Sequence, residues 1–155
     1  MRLRSEIRFI AAAVVLSTLS LTSLYAAASG LGDTPTALAA LQTKAEQAQP
    51  RDKCFLYAEL VSQMTDLVGQ QLRSGESGQA SQTLMLVAQY AAKIHIGIAG
   101  DSKKLKDAEL LMHRTSYRLK DFLSEAPYED RQALEATLEQ LNQVQVQLMM
   151  QVFKH

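Results

Sequence analysis

Residues 80–122 read ASQTLMLVAQYAAKIHIGIAGDSKKLKDAELLMHRTSYRLKDF, and the fold turns on how this stretch is parsed. Apolar residues stand at Ala80, Leu84, Val87, Ala91, Ile94, Ile98, Leu105, Ala108, Met112, Leu119 and Phe122, with Asp101 and Thr115 filling the two gaps. Steps of three and four follow one another without a slip, which marks one face of a helix with 3.6 residues per turn. Two parses compete at Ile96-Gly97-Ile98-Ala99-Gly100-Asp101-Ser102, where helix-weakening glycines precede two N-cap residue types. One is a single long helix spanning residues 77–124, kinked at Gly97 and Gly100. The other is a helical hairpin. The unbroken phase favours the long helix, because a loop of arbitrary length usually resets the count.

The flanking segments supply partners for that face. Thr34-Pro35 opens a short Ala-rich helix through Gln47, with Leu38, Leu41 and Ala45 on one side. Pro50 ends it, Asp52 is expected to cap a second helix reaching Arg73, and Ser74-Gly75 closes that helix with glycine at the left-handed position. Tyr57, Leu60, Val61, Met64, Leu67, Val68 and Leu72 form its apolar stripe, while Glu59, Ser62, Gln63, Asp66, Gln70 and Arg73 take the other side. Pro127 marks a last start, with Glu129 and Asp130 in the first turn where the dipole favours acids. Leu134, Leu138, Leu141, Val144, Leu148 and Val152 carry this helix onward. Gln140, Asn142, Gln143, Gln145, Gln147 and Gln151 give it an uncharged companion face, read as ordinary solvated surface. The class is therefore all-α: a bundle of long amphipathic helices in about five segments. It is an extended packing if the centre is continuous and an antiparallel four-helix bundle if it breaks. A chain of 155 residues with three prolines, seven glycines and no tryptophan agrees with this class.

Residues 1–28 read as a signal peptide. Arg2, Arg4 and Arg8 precede the apolar run Phe9–Leu24, and Ala26-Ala27-Ala28 supplies small residues for a cut. The rival reading is an uncleaved signal anchor, since Phe9–Ala28 is just long enough to span a bilayer. Ser and Thr dilute the run and an Ala-x-Ala site is present, so cleavage is favoured. The expected address is periplasmic or extracellular, with residues 29–155 as a single all-helical domain and membrane contact only if the segment stays attached. Removing Arg2, Arg4, Arg8 and Glu6 from 16 bases and 16 acids leaves 13 and 15, a net charge near −2. That balance argues against a nucleic-acid partner.

Candidate chemistry is sparse. Cys54 is the single cysteine, so no intramolecular disulfide forms, and it is read as buried and inert. His95 and His113 lie about 27 Å apart on a continuous helix and roughly 12 Å apart along the axis in a hairpin, and His155 is terminal, so no shared metal site is expected. The acid pairs Asp107 with Glu109 and Glu129 with Asp130 sit beside bases or helix starts and read as solvated charges. Lys103, Lys104 and Lys106, mixed with Asp101, Asp107 and Glu109, read as a charged outer face. No nucleophile elbow or phosphate-binding glycine loop occurs. No catalytic, cofactor-binding or metal-binding residue is assigned, and no enzyme is expected.

Leu67, Gly75, Ala80, Leu84 and Val87 stand at spacings that resemble one helix-turn-helix of the tetratricopeptide repeat family. The family's aromatic and Gly-Tyr positions in the first helix are taken here by Met64, Val68 and Gln71. A step of about 34 residues puts Arg114 where Ala80 stood, so no second unit follows. The resemblance implies a protein-binding scaffold without catalytic residues. The expected function is an exported scaffold, adaptor or chaperone-like factor with a protein partner, homo-oligomerisation included. The alternative is a small-molecule carrier with a pocket between helices.

Overall fold

A computed structural model describes residues 34–94 and 102–154. The signal-peptide reading, Gly97, Gly100, His95 and His155 lie outside the described residues. Within them the chain is all-α, with helices α1 (Thr34–Gln47), α2 (Pro50–Arg73), α3 (Ser77–Lys93), α4 (Ser102–Glu125) and α5 (Tyr128–Val152).

Local chemistry accounts for the boundaries. Pro50 occupies the first turn of α2, where its missing N–H costs nothing, and Gln49 takes the N-cap position in an extended conformation. Asp52 therefore does not cap α2; it lies within the first turn. The end of α2 follows the sequence expectation closely. Gly75 has φ +73°, its N–H donates to Leu72 O at 3.1 Å, and the Glu76 N–H donates to Gln71 O at 2.8 Å. Together these form the paired closing bonds of a Schellman motif, which only a left-handed residue such as glycine completes without strain. Pro127 takes the N-cap position of α5, and Arg131 Nε donates back to Ala126 O at 3.2 Å to fix the corner.

The apolar face read across residues 80–122 is the core. Ala80, Leu84, Val87, Ala91, Ile94, Leu105, Ala108, Met112, Thr115 and Leu119 are all buried, and Phe122 packs half-buried against the same cluster. The long-helix parse, however, is wrong. Tyr57 stacks on Tyr90 beyond the tight Gly75 turn, so α3 runs antiparallel to α2. Lys104 pairs with Asp52, and fourteen residues further along both helices Arg118 pairs with Asp66, so α4 runs parallel to α2. Helices α3 and α4 thus point in opposite directions. The phase passed unbroken because the residues between Ile94 and Ser102 number seven, one heptad, which preserves the three-four count whatever their conformation.

The hairpin alternative needs its own refinement. Helix α2 packs on α3 and α4, α5 packs on the same two, and among the described residues neither diagonal pair brings Cα atoms within 8 Å. Two helical hairpins, α2–α3 and α4–α5, lie side by side with equivalent helices parallel. Among the described residues the backbone of helix α1 comes close to α2 and to no other helix, and Leu38, Leu41 and Ala45 are buried.

Candidate functional site

The polar side of α2 is where the structure departs most from a solvated face. Ser62 and Thr65 are buried, and Asp66 reaches Arg118 of α4. The same guanidinium donates from Nη2 to Ser62 Oγ at 2.6 Å and to Thr115 Oγ1 at 3.4 Å. Lys104, expected on an outer charged face, ties to Asp52 and holds that carboxyl below its ordinary range, chiefly through the hydrogen bond it donates. Lys106 and Asp107 do face solvent. Asp130, read as a solvated acid, is 3% exposed and accepts a 2.8 Å hydrogen bond from Ser77 Oγ, which joins the first turns of the parallel helices α3 and α5. These contacts serve the bundle. None leaves a carboxylate free in a cleft for proton transfer.

Cys54 is buried and unpaired, as read, and burial pushes its thiol up to about 11. It is protonated at neutral pH and poorly nucleophilic. Tyr57, Tyr90 and Lys93 form a second cluster, with the Lys93 ammonium 4.8 Å from the Tyr90 ring centroid and 5.9 Å from that of Tyr57. Burial, and then the nearby Glu46 carboxylate, raise both phenols. Glu46 is on α1, so the cluster stands near the C-terminal end of that helix. No group of three or more His, Cys, Asp or Glu residues placed to hold a metal ion occurs among the described residues.

The glutamines of α5 do not share one solvated face. Gln140 Nε2 donates to Ala88 O of α3 at 2.7 Å, and Gln145 Nε2 lies 2.7 Å from His113 Nδ1 of α4. They flank α5 on opposite sides, and each ties it to a neighbour. Asn142, Gln143 and Gln147 are the ones left exposed.

The Gln145–His113 contact opens onto the surface with the most chemical content. A cleft of about 260 Å³ runs between α4 and α5, walled by His113, Ser116, Tyr117 and Lys120 on one side and Leu138, Asn142 and Gln145 on the other. The His113 ring meets Tyr117 edge-on at 5.5 Å. Antiparallel packing about this contact puts Leu110, one turn before His113, level with Met149, one turn after Gln145. Leu110, Val146, Met149, Met150 and Phe153 are 41–83% exposed, so an apolar patch adjoins the polar cleft. A second cleft, about 180 Å³, lies between the ends of α2 and α4 around Gly69, Phe122 and Pro127. Sequence reasoning missed the cleft because α5's apolar periodicity names only its core face. Val146, Met149 and Met150 fall off that period, and that misfit was the available signal.

Among the described residues no helix is long and apolar enough to cross a membrane. Comparison with protein-family models, with curated proteins and with solved structures returns no match.

Proposed function

We propose that this chain is an exported, non-catalytic helical protein that binds another protein through its α4–α5 face. The observation that carries the reading is the patch formed by Leu110, Val146, Met149, Met150 and Phe153. Large apolar side chains gathered at one end of a helix pair mark interaction sites, whereas singly scattered ones do not. Two of the five are methionines, whose flexible thioethers adapt to a partner's shape. Two hairpins stacked side by side also support a scaffold, although their equivalent polar contacts recur at an offset of 52–53 residues. A tetratricopeptide array would use about 34. Export rests on residues 1–28 and their Ala26-Ala27-Ala28 site. For the carrier alternative, the clefts at α4–α5 and α2–α4 are both smaller than the roughly 300 Å³ at which drug-sized sites begin, while larger hollows of about 680 and 440 Å³ lie along α5 alone.

The test is a photo-crosslinking residue placed at Val146 or Met150 in intact cells, with Arg114 as an exposed control. The reading requires a discrete protein adduct from 146 and 150 and none from 114. An adduct of twice the chain's mass would identify the partner as a second copy. Absence of adducts, or equal adducts at the control, would remove this face from consideration.

A further inference from the structure

Ser116 is 6% exposed and borders the α4–α5 cleft; its hydroxyl oxygen is itself closed to solvent and has no hydrogen-bond partner among the described residues. Its neighbours behave differently. Thr65, Thr83, Thr115 and Thr137 each donate to the carbonyl one turn back, at 2.8–3.0 Å. A buried hydroxyl without an acceptor is costly, so a ligand suited to this place brings an acceptor. The other groups agree. Gln145 Nε2 meets His113 Nδ1 at 2.7 Å, and the ring's other nitrogen, Nε2, is not engaged in that contact. Lys120 adds one full positive charge, Tyr117 a hydroxyl and Asn142 an amide; none of the cleft's lining residues is acidic, and the nearest acids on α5, Glu135 and Glu139, line the adjoining hollow that shares Leu138 and Asn142.

One cation matches a monoanion better than a dianionic phosphate, which calls for more charge or a guanidinium fork. Leu138 and the Tyr117 ring supply an apolar wall. We propose that the α4–α5 cleft binds a carboxylate carried on a short apolar stem. Lys120 holds the carboxylate, the Ser116 hydroxyl turns out of its closed position to donate to it, and the stem lies on Leu138 and Tyr117. A free short-chain acid and an acidic side chain of a protein partner both present this group. The inference stands apart from the protein-binding reading, because its test needs only the isolated chain and a small probe.

The full chain, labelled with nitrogen-15, is titrated with hexanoate and in parallel with hexanol and hexylamine. Saturable amide shifts at His113, Ser116, Tyr117 and Asn142 are expected with hexanoate alone. Lys120→Met and Ser116→Ala should each weaken binding about tenfold or more, the scale of one hydrogen bond to a charged group. Lys44→Met, on distant α1, should leave it unchanged. Ser116→Ala should keep or raise the melting temperature, since it deletes an unpaired buried hydroxyl, so lost binding cannot be ascribed to unfolding. An equal response to hexanol, shifts centred elsewhere, or no saturation would overturn the proposal. A small acid retained in native mass spectrometry of protein isolated from its cells would identify the free source. Suppression by hexanoate of the crosslink at Val146 would identify a partner's side chain.

Discussion

Gly69 stands inside α2, where glycine weakens a helix by about 0.8–1 kcal/mol relative to alanine. Propensity alone would make Gly69→Ala stabilising. The packing reverses that sign. A Cβ built here would meet Phe122 Cζ at 2.4 Å and both Cε atoms at 2.9 Å. Ordinary carbon contacts need about 3.5 Å, so the ring must retreat by about 1 Å. It sits in the notch that Gly69 leaves in α2, beside Leu72 and Ala126, and a retreat loosens those contacts. Overpacking of this kind costs about 1–3 kcal/mol, and subtracting the propensity gain leaves a net loss of about 1 kcal/mol. Phe122→Leu removes the ring tip and clears the notch. In that background Gly69→Ala should instead stabilise by up to about 1 kcal/mol, a coupling of about 2 kcal/mol across the cycle. Urea denaturation of the four proteins measures each value. Equal stabilisation by Gly69→Ala in both backgrounds would refute the close approach of α2 and α4.

Three further outcomes are expected. The Cys54 thiol ionises near 9.0 when unfolded and near 11 when folded, so its contribution is complete below pH 9 and is lost as pH rises towards 11. Thiol-reactive dye should therefore label the native chain far more slowly than the urea-unfolded chain at pH 8, and rapid native labelling would contradict the burial. Asp52 has a folded value below the ordinary 3.8, so its pairing with Lys104 stabilises above that pH and fades as pH falls through the folded value. Lys104→Met should flatten the acid limb of a melting-temperature profile and slightly lower the plateau above pH 6 without changing its slope. Ser77→Ala and Asp130→Ala should each cost about 1–2 kcal/mol, and the double variant should cost clearly less than their sum; strict additivity in urea melts would show that the 2.8 Å bond contributes nothing.

The core was legible because helical burial leaves a periodic trace. Every described position of the stripe from Ala80 to Leu119 is buried, and the Gly75 closure follows from residue chemistry alone. Chain direction was not legible, because an apolar stripe has no polarity along its axis. The seven residues between Ile94 and Ser102 hid the reversal behind an intact heptad count. The polar seam was missed for a related reason. Ser62, Asp66 and Gly69 look like solvent-facing positions of an amphipathic helix, yet α2 has neighbours on three sides. Glycine in such a helix is ambiguous by itself; only Phe122 arriving from α4, 53 residues further along the sequence, gives Gly69 its reason.

The polar contacts answer the question that the apolar stripes leave open. Stripes spaced by threes and fours tolerate sliding by one heptad, or reversal of a helix, with nearly the same area buried. Asp52 with Lys104, Asp66 with Arg118, Ser77 with Asp130 and Gln140 with the Ala88 carbonyl all join residues 52 or 53 apart. A slip of one heptad would separate all four at once and leave buried Asp130 without its Ser77 donor. Partly exposed ion pairs such as Lys104 with Asp52 add little stability individually. Their consequence is a single register between the two hairpins. That register also decides which surface is left for binding. Helix α1 covers α2, the seam between α2 and α4 is closed by Arg118 and Phe122, and α3 is tied to α5 by Gln140. The α4–α5 groove is spanned by the Gln145–His113 contact, and beside it Ser116 keeps a hydroxyl that no described residue accepts. Among the described residues the buried threonine hydroxyls all bond one turn back, whereas the Ser116 hydroxyl stays unpartnered beside the cleft and its apolar patch, and that coincidence is the reason to test the α4–α5 face first.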